Sequence, residues 1–268
     1  EIYDSDDDGL FAAGDIGTLL RHAFVSDVYL SDRTGSNPVN VTSISGLTDE
    51  APDWTPVGNR IVFVRSPSGG DDEGQKEIYT INNNGTGITR LTDNTVNEDN
   101  PDWSPDGTKI AFQRYDTANT EYDLYVMNDD GTNASKIADG ATDPIYDPNG
   151  KHLLFVSSNQ LKIMNADGSG SATTLASGNE PAWSPNGSKI AYVSNDNIHV
   201  ADYTYDADDD THALSNATKL TDDGSTFTYS NLAWSSDGTE LFFDSVTGAS
   251  TDFSAESDTY SIKSDIAE

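Results

Sequence analysis

The chain has four tryptophans, and each of them opens a version of the same phrase. Trp54 begins Trp-Thr-Pro-Val-Gly-Asn-Arg-Ile-Val-Phe, and Trp103 begins Trp-Ser-Pro-Asp-Gly-Thr-Lys-Ile-Ala-Phe. Trp183 begins Trp-Ser-Pro-Asn-Gly-Ser-Lys-Ile-Ala-Tyr, and Trp234 begins Trp-Ser-Ser-Asp-Gly-Thr-Glu-Leu-Phe-Phe. A fifth copy puts Tyr146 in the Trp place, and a sixth, degenerate copy is read from Tyr3, with Leu10 standing to it as Ile110 stands to Trp103. Pro followed by Asp-Gly or Asn-Gly is turn chemistry, because Pro fixes φ and the next residues tolerate a positive φ. The apolar, β-branched and aromatic run behind it is predicted to be a strand. Each copy therefore reads as strand, tight turn, strand.

A third segment follows in every copy: Asp27-Val-Tyr-Leu, Glu77-Ile-Tyr-Thr, Asp123-Leu-Tyr-Val, Gln160-Leu-Lys-Ile, Asn197-Ile-His-Val and Asp258-Thr-Tyr-Ser. Its alternation is that of a strand. A fourth, short strand is expected to end at Gly46-Leu-Thr, Arg90-Leu-Thr, Lys136-Ile-Ala, Thr174-Leu-Ala or Lys219-Leu-Thr, and the last copy has none in view. Four antiparallel strands repeated end to end describe the blades of a β-propeller. The predicted fold is all-β, with six four-stranded antiparallel blades around a central channel in one domain over residues 1–268. Blades are expected to start near residues 1, 52, 101, 144, 181 and 232, with 1–26 the loosest register.

Trp103-Ser-Pro-Asp-Gly-Thr-Lys-Ile-Ala-Phe, followed by Asp123-Leu-Tyr-Val-Met-Asn-Asp-Asp-Gly-Thr, resembles the WD-like repeat of TolB-type propellers. The resemblance implies an extracytoplasmic protein (periplasmic, secreted or at the cell surface) of a family that mostly binds proteins. Some relatives are lyases or sit beside peptidase domains.

Composition narrows the partners. Asp and Glu number 46 against 14 Lys and Arg, a formal net charge of -32. Phosphate contacts need Lys and Arg to displace counterions, so nucleic acid and anionic lipid are poor partners. A protein or peptide, above all a basic one, and cations are the natural ones. An acidic surface of this kind also suits high salt. There are no cysteines, which excludes disulfides, thiolate metal sites and a Cys nucleophile. No apolar run reaches the roughly 18 residues of a membrane-spanning helix. The acidic first residues lack the basic start and apolar centre of a signal peptide, so the sequence reads as mature or as part of a larger chain, and as a monomer.

In a propeller the connections from fourth to first strands emerge on one face, and loops on a rigid scaffold carry function. Here these connections hold Glu50, Glu98, Asp99, Asp143 and Glu180, the expected ligand-binding residues of an acidic channel mouth. A negative mouth focuses the field and draws cations or a basic partner. The bland alternative is solvated loop charge, since so many acids must lie somewhere. Asp4, Asp6, Asp8 and Asp15, with Gly9 as the turn, have the spacing of a calcium loop; the alternative is a degenerate hairpin turn of the first blade. Asp206-Ala-Asp-Asp-Asp, in an insertion of the copy at 183, lacks a turn glycine and reads as a solvated acidic loop.

Catalytic signals are thin. The four histidines show no His-Glu-x-x-His pair, and no Gly-x-Ser-x-Gly elbow or phosphate loop occurs. His152 and His199 fall on strand positions and read as packing residues. The favoured function is a non-catalytic binding module with a ligand at the acidic face, without cofactor unless calcium binds. The alternative is a polysaccharide lyase or hydrolase, or a carbohydrate-binding propeller; a pocket where His, Arg or Lys converge with carboxylates would favour it.

Overall fold

A computed structural model describes residues 27–30, 38–43, 47–56, 58–67, 76–222, 227–247 and 258–263. All elements among them are strands, and none is a helix long and apolar enough to cross a membrane. The chain divides into two compact units after Tyr146.

The first unit holds β1 (Tyr29–Leu30), β2 (Val39–Asn40), β3 (Leu47–Trp54), β4 (Arg60–Pro67), β5 (Glu77–Asn82) and β6 (Thr89–Arg90). It continues with β7 (Glu98–Trp103), β8 (Lys109–Asp116), β9 (Glu121–Asn128), β10 (Ser135–Ala138) and β11 (Thr142–Tyr146). β1 and β2 pair as a ribbon, while β3 to β6 and β7 to β10 each form a four-stranded antiparallel sheet in chain order. The second unit holds β12 (His152–Ser157), β13 (Gln160–Asn165), β14 (Thr173–Ser177), β15 (Asn179–Trp183), β16 (Lys189–Ser194) and β17 (Asn197–Asp206). Its remaining strands are β18 (Thr211–Lys219), β19 (Phe227–Trp234), β20 (Glu240–Thr247) and β21 (Asp258–Lys263). β15 to β18 form a four-stranded sheet, and β19 to β21 form a sheet of three among the described residues.

The first hairpin of each copy closes as its residues dictate. Ser104 N–H donates to Lys109 O at 2.9 Å and Gly107 N–H to Ser104 O at 2.8 Å, with Gly107 at φ 69°. The Asp106 carboxylate accepts from Ser104 Oγ and from both Thr108 N–H and Oγ1. Asn186 and Asp237 play the same part in the copies at 183 and 234.

Sheets pack face to face through the second strands. Ile61, Val62, Phe63 and Val64 are fully buried, because alternate side chains of one strand serve two neighbours. Ile61 and Phe63 join Trp54, Val28, Leu30 and Val41 in one cluster. Val62 joins Trp103, Ile110, Phe112 and Met127 in the next. Trp234, Leu241 and Phe243 fill the same role over Ala191 and Val193. Each such side chain contributes about 1.5–3 kcal/mol. Trp54, Trp103 and Trp234 thus each seal their own sheet onto the preceding one. Gly131 marks how close the sheets come: at φ 82° it lies where a Cβ would meet the Leu91 carbonyl oxygen at 2.6 Å.

Two registers differ from those expected. The fourth-strand signature of the first copy is Asn40-Val41-Thr42, whereas Leu47 and Thr48 already belong to β3. Thr42 Oγ1 accepts Val28 N–H at 2.8 Å, as Thr92 Oγ1 accepts Ile78 N–H at 2.8 Å and Thr221 Oγ1 accepts Ile198 N–H at 2.9 Å. First strands also begin at Leu47, Glu98, Thr142, Asn179 and Phe227, upstream of the expected starts, because pairing resumes beyond a bulge described below.

Two inner-strand carboxylates latch one sheet to the next. Trp103 N–H donates to Asp53 Oδ2 at 2.7 Å, and Tyr146 N–H donates to Asp102 Oδ2 at 2.8 Å. Burial raises the Asp53 pKa to about 6 against the Trp103 and Trp54 backbone donors. Burial and then the Asp53 charge push Asp102 well above the usual carboxylate range. A folded-state pKa above the unfolded one means that the folded chain holds these protons more tightly. The Asp53 contribution to stability therefore falls as pH rises from about 4 through about 6, and the Asp102 contribution falls as pH rises above the usual carboxylate range. Asp102→Asn keeps an acceptor for Tyr146 N–H and removes the charge. It is expected to raise stability at pH 8 by about 1–2 kcal/mol, and to weaken the loss of stability as pH rises above about 4. Urea unfolding at several pH values reads both effects.

Candidate functional site

One local distortion recurs in the first strand of five copies among the described residues. The residue three before the Trp position is left-handed: Ala51 at φ 48°, Asn100 at 47°, Asp143 at 51°, Glu180 at 51° and Asn231 at 54°. Strand register shifts at the same place, between Glu50 and Asp53, Asp99 and Asp102, Asn179 and Ala182, and Ser230 and Ala233. Pro52, Pro101, Pro144 and Pro181 follow the left-handed residue in four copies. A proline has no N–H for the ladder, so an unpaired bulge position suits it. The bulge re-aims the side chains around it, and these are the ones expected to bind a ligand.

In the first unit the re-aimed side chains form a polar rim. Lys76 Nζ sits 3.0 Å from Asp99 Oδ2 and also pairs with Glu50 Oε1. Lys76 N–H donates to Asn97 Oδ1. Partial burial works against the ammonium charge, but the Asp99 and Glu50 carboxylates outweigh it and raise the Lys76 pKa. Asn100 Nδ2 donates to Asp143 Oδ1 at 2.6 Å, from one bulge to the next, and Asp143 N–H donates to Gln113 Oε1 at 3.0 Å. Glu50, Asp99 and Asp143 against Lys76 leave this group net negative and fixed in place.

Glu98 is different. It is fully buried, receives Arg114 Nε at 2.7 Å and Asn94 Nδ2 at 2.6 Å, and has a pKa raised by burial despite these partners. It is a cross-strand partner of Arg114 (as Asp49 is of Arg65) and does not face the rim. In the second unit, Glu180 Oε2 accepts Asn231 N–H at 2.9 Å, and Asn231 Nδ2 donates to Asp244 Oδ2 at 2.7 Å. The bulge-to-bulge pattern therefore recurs in each unit separately.

Asp4, Asp6, Asp8 and Asp15 lie outside the described residues, as do Tyr3 and His22. Among the described residues no three of His, Asp and Glu stand where they would hold a metal ion. His152 is buried, with Nδ1 at 3.1 Å from Asp147 Oδ2. His212 Nδ1 lies 2.7 Å from the Tyr203 hydroxyl. Burial, then the neighbouring His152, lowers the His212 pKa. His199 stacks on Tyr192 at 5.5 Å. All three are held by neighbours. Lys76 and the two asparagines were not singled out from sequence. Lys76 lies 23 residues from Asp99, and nothing local announces the pair.

A family model of the TolB beta propeller domain matches residues 22–210. No curated protein matches the chain by sequence. Among solved structures, TolB of Acinetobacter baumannii is 20% identical, with TM-score 0.56, over 82% of this chain and 57% of its own. This chain thus spans little more than half of that protein. A protein of Agrobacterium tumefaciens assigned to TolB is 19% identical, with TM-score 0.60, over 81% of this chain and 76% of its own. Oligogalacturonate lyase of Vibrio parahaemolyticus is 12% identical, with TM-score 0.58, over 82% of this chain and 68% of its own. At such identities the likeness is one of fold.

Lys76 neutralises two carboxylates that would otherwise face each other. Lys76→Met is expected to cost about 2 kcal/mol at pH 7, and Lys76→Arg much less. Denaturant unfolding of both variants measures the difference.

Proposed function

This chain belongs to the TolB beta propeller domain family, and we propose that it is a non-catalytic binding module that docks a polypeptide over its inner-strand bulges. The carrying observation is the rim itself. Lys76 lies between Glu50 and Asp99 as a ligand's ammonium would, while Asp143 adds a further carboxylate held by Asn100. A preformed, partly buried acidic group binds without first ordering its side chains, which lowers the entropic cost of docking. It also steers a basic partner toward it. The family and the absence of cysteine favour an extracytoplasmic setting.

The second reading is a polysaccharide-active propeller, favoured by the likeness to oligogalacturonate lyase. The surroundings of His152 and His212 speak against it, since both rings are engaged with neighbours.

Amide NMR titration with hexalysine at low salt tests the reading. Shifts are expected to concentrate at residues 50–51, 99–100 and 143, and Glu50→Gln with Asp143→Asn is expected to weaken binding at least fivefold. Shifts spread evenly over all acidic loops would contradict it. So would turnover of oligogalacturonate to a product with unsaturated absorbance.

A further inference from the structure

The acidic insertion of the second unit is a long β-hairpin. β17 and β18 run for 10 and 9 residues, against 2, 4 and 5 for β6, β10 and β14. Tyr203 to Asp206 pair with Thr211 to Leu214 beyond the body of the sheet. The extension is anchored on one face by aromatic contacts. The His212 ring stacks on Tyr205 at 4.8 Å, and His152 meets both rings edge-on at 4.7 and 4.8 Å. Trp183 meets Tyr203 edge-on at 4.7 Å.

The outer edge of this rigid hairpin is open. β18 is the last strand of its sheet and is exposed or half-exposed along its whole length. Residues 211–215 carry no Asp, Glu, Lys, Arg or Pro. Edge strands are ordinarily blunted by charge, proline, shortness or a bulge. Here the interruption comes only at Asn216, left-handed at φ 51°, where the ladder steps from Asp202–Ser215 to Val200–Thr218. That leaves a straight, uncharged edge from Thr211 to Ser215. At its tip Asp206, Asp208, Asp209 and Asp210 are exposed. A hollow lined by Thr204, Tyr205, Asp206, Asp208, Thr211 and Ala213 lies alongside.

We propose that the Thr211–Ser215 edge accepts an added β-strand from a partner polypeptide bearing Lys or Arg at the end that overlies the hairpin tip. Main-chain pairing supplies affinity and the tip supplies selectivity. The Tyr205 ring and the Asp206 and Asp208 carboxylates line a place for a cationic side chain. Charge decides between occupants. Two copies of this chain, each at -32, repel one another, whereas a basic strand is attracted.

The test titrates the whole protein with the peptide Thr-Val-Thr-Val-Thr-Lys-Lys, whose basic end overlies the tip when it pairs antiparallel to β18, followed by amide NMR. Its controls are the same peptide with Glu for Lys, and the Lys peptide N-methylated at alternate residues. Shifts are expected at residues 206–215. Binding is expected to fall at least tenfold on N-methylation, and at least fivefold with Glu for Lys or in the Asp206→Asn, Asp208→Asn, Asp209→Asn variant. It should persist in the Glu50→Gln, Asp143→Asn variant, which separates this edge from the rim. Equal binding of the N-methylated peptide, or shifts absent from 206–215, would overturn the proposal, as would sedimentation as a dimer through this edge.

Discussion

A strand that carries a proline two residues before a buried Trp cannot keep an unbroken ladder. The missing N–H must fall where no partner waits, and a left-handed residue ahead of it makes that place. Ala51, Asn100, Asp143 and Glu180 occupy it, and Asn231 does so even where Leu232 replaces the proline. Much else depends on this bulge. Downstream of it, Asp53 and Asp102 turn toward the next sheet and accept a backbone N–H there. Upstream, Glu50 and Asp99 turn toward Lys76. The distortion thus sets both a connection between neighbouring strands and the polar rim above it.

The acids fall into classes that a net charge hides. Asp49 and Glu98 are buried partners of Arg65 and Arg114. Asp53 and Asp102 are half-buried, and desolvation raises the pKa of both. Glu50 and Asp99 share an ammonium. Among the described residues the Asp206–Asp210 tip is exposed to solvent, and Asp143 is half-buried. Burying a carboxylate is costly unless donors or counter-charges compensate, which is why the internal acids each have a named donor.

The repeat was legible because its signals are local. Pro-Asp-Gly turns, alternating strands and a recurring Trp lie within a few residues of each other, and the hairpins follow from them. The bulge was legible in principle, since Asn100-Pro, Asp143-Pro and Glu180-Pro recur at one spacing, but strand alternation alone gives no reason to insert a residue. The first copy's fourth strand was displaced for a similar reason. Gly46-Leu-Thr and Asn40-Val-Thr carry the same apolar-Thr signature, and only the hydrogen bond from Val28 to Thr42 decides between them. Glu50, Glu98, Asp99 and Asp143 all read as loop charges, yet each lies in a strand, and Glu98 and Asp99 are buried there. Burial of a single residue beside a strand end depends on its partner across the sheet, which local sequence does not reveal. The hairpin of β17 and β18 was masked by its own Asp-rich turn.

The central claim is that a left-handed residue, rather than its side chain, sets the bulge. Ala51 isolates that claim, because its methyl group carries no polar contact. The unfolding free energy of Ala51→Gly against Ala51→Val measures it most directly. Gly, which tolerates positive φ, is expected to stabilise by about 1 kcal/mol, and Val, β-branched and strained there, to destabilise by about 1–2 kcal/mol. Loss of stability in Ala51→Gly together with tolerance of Ala51→Val would contradict it.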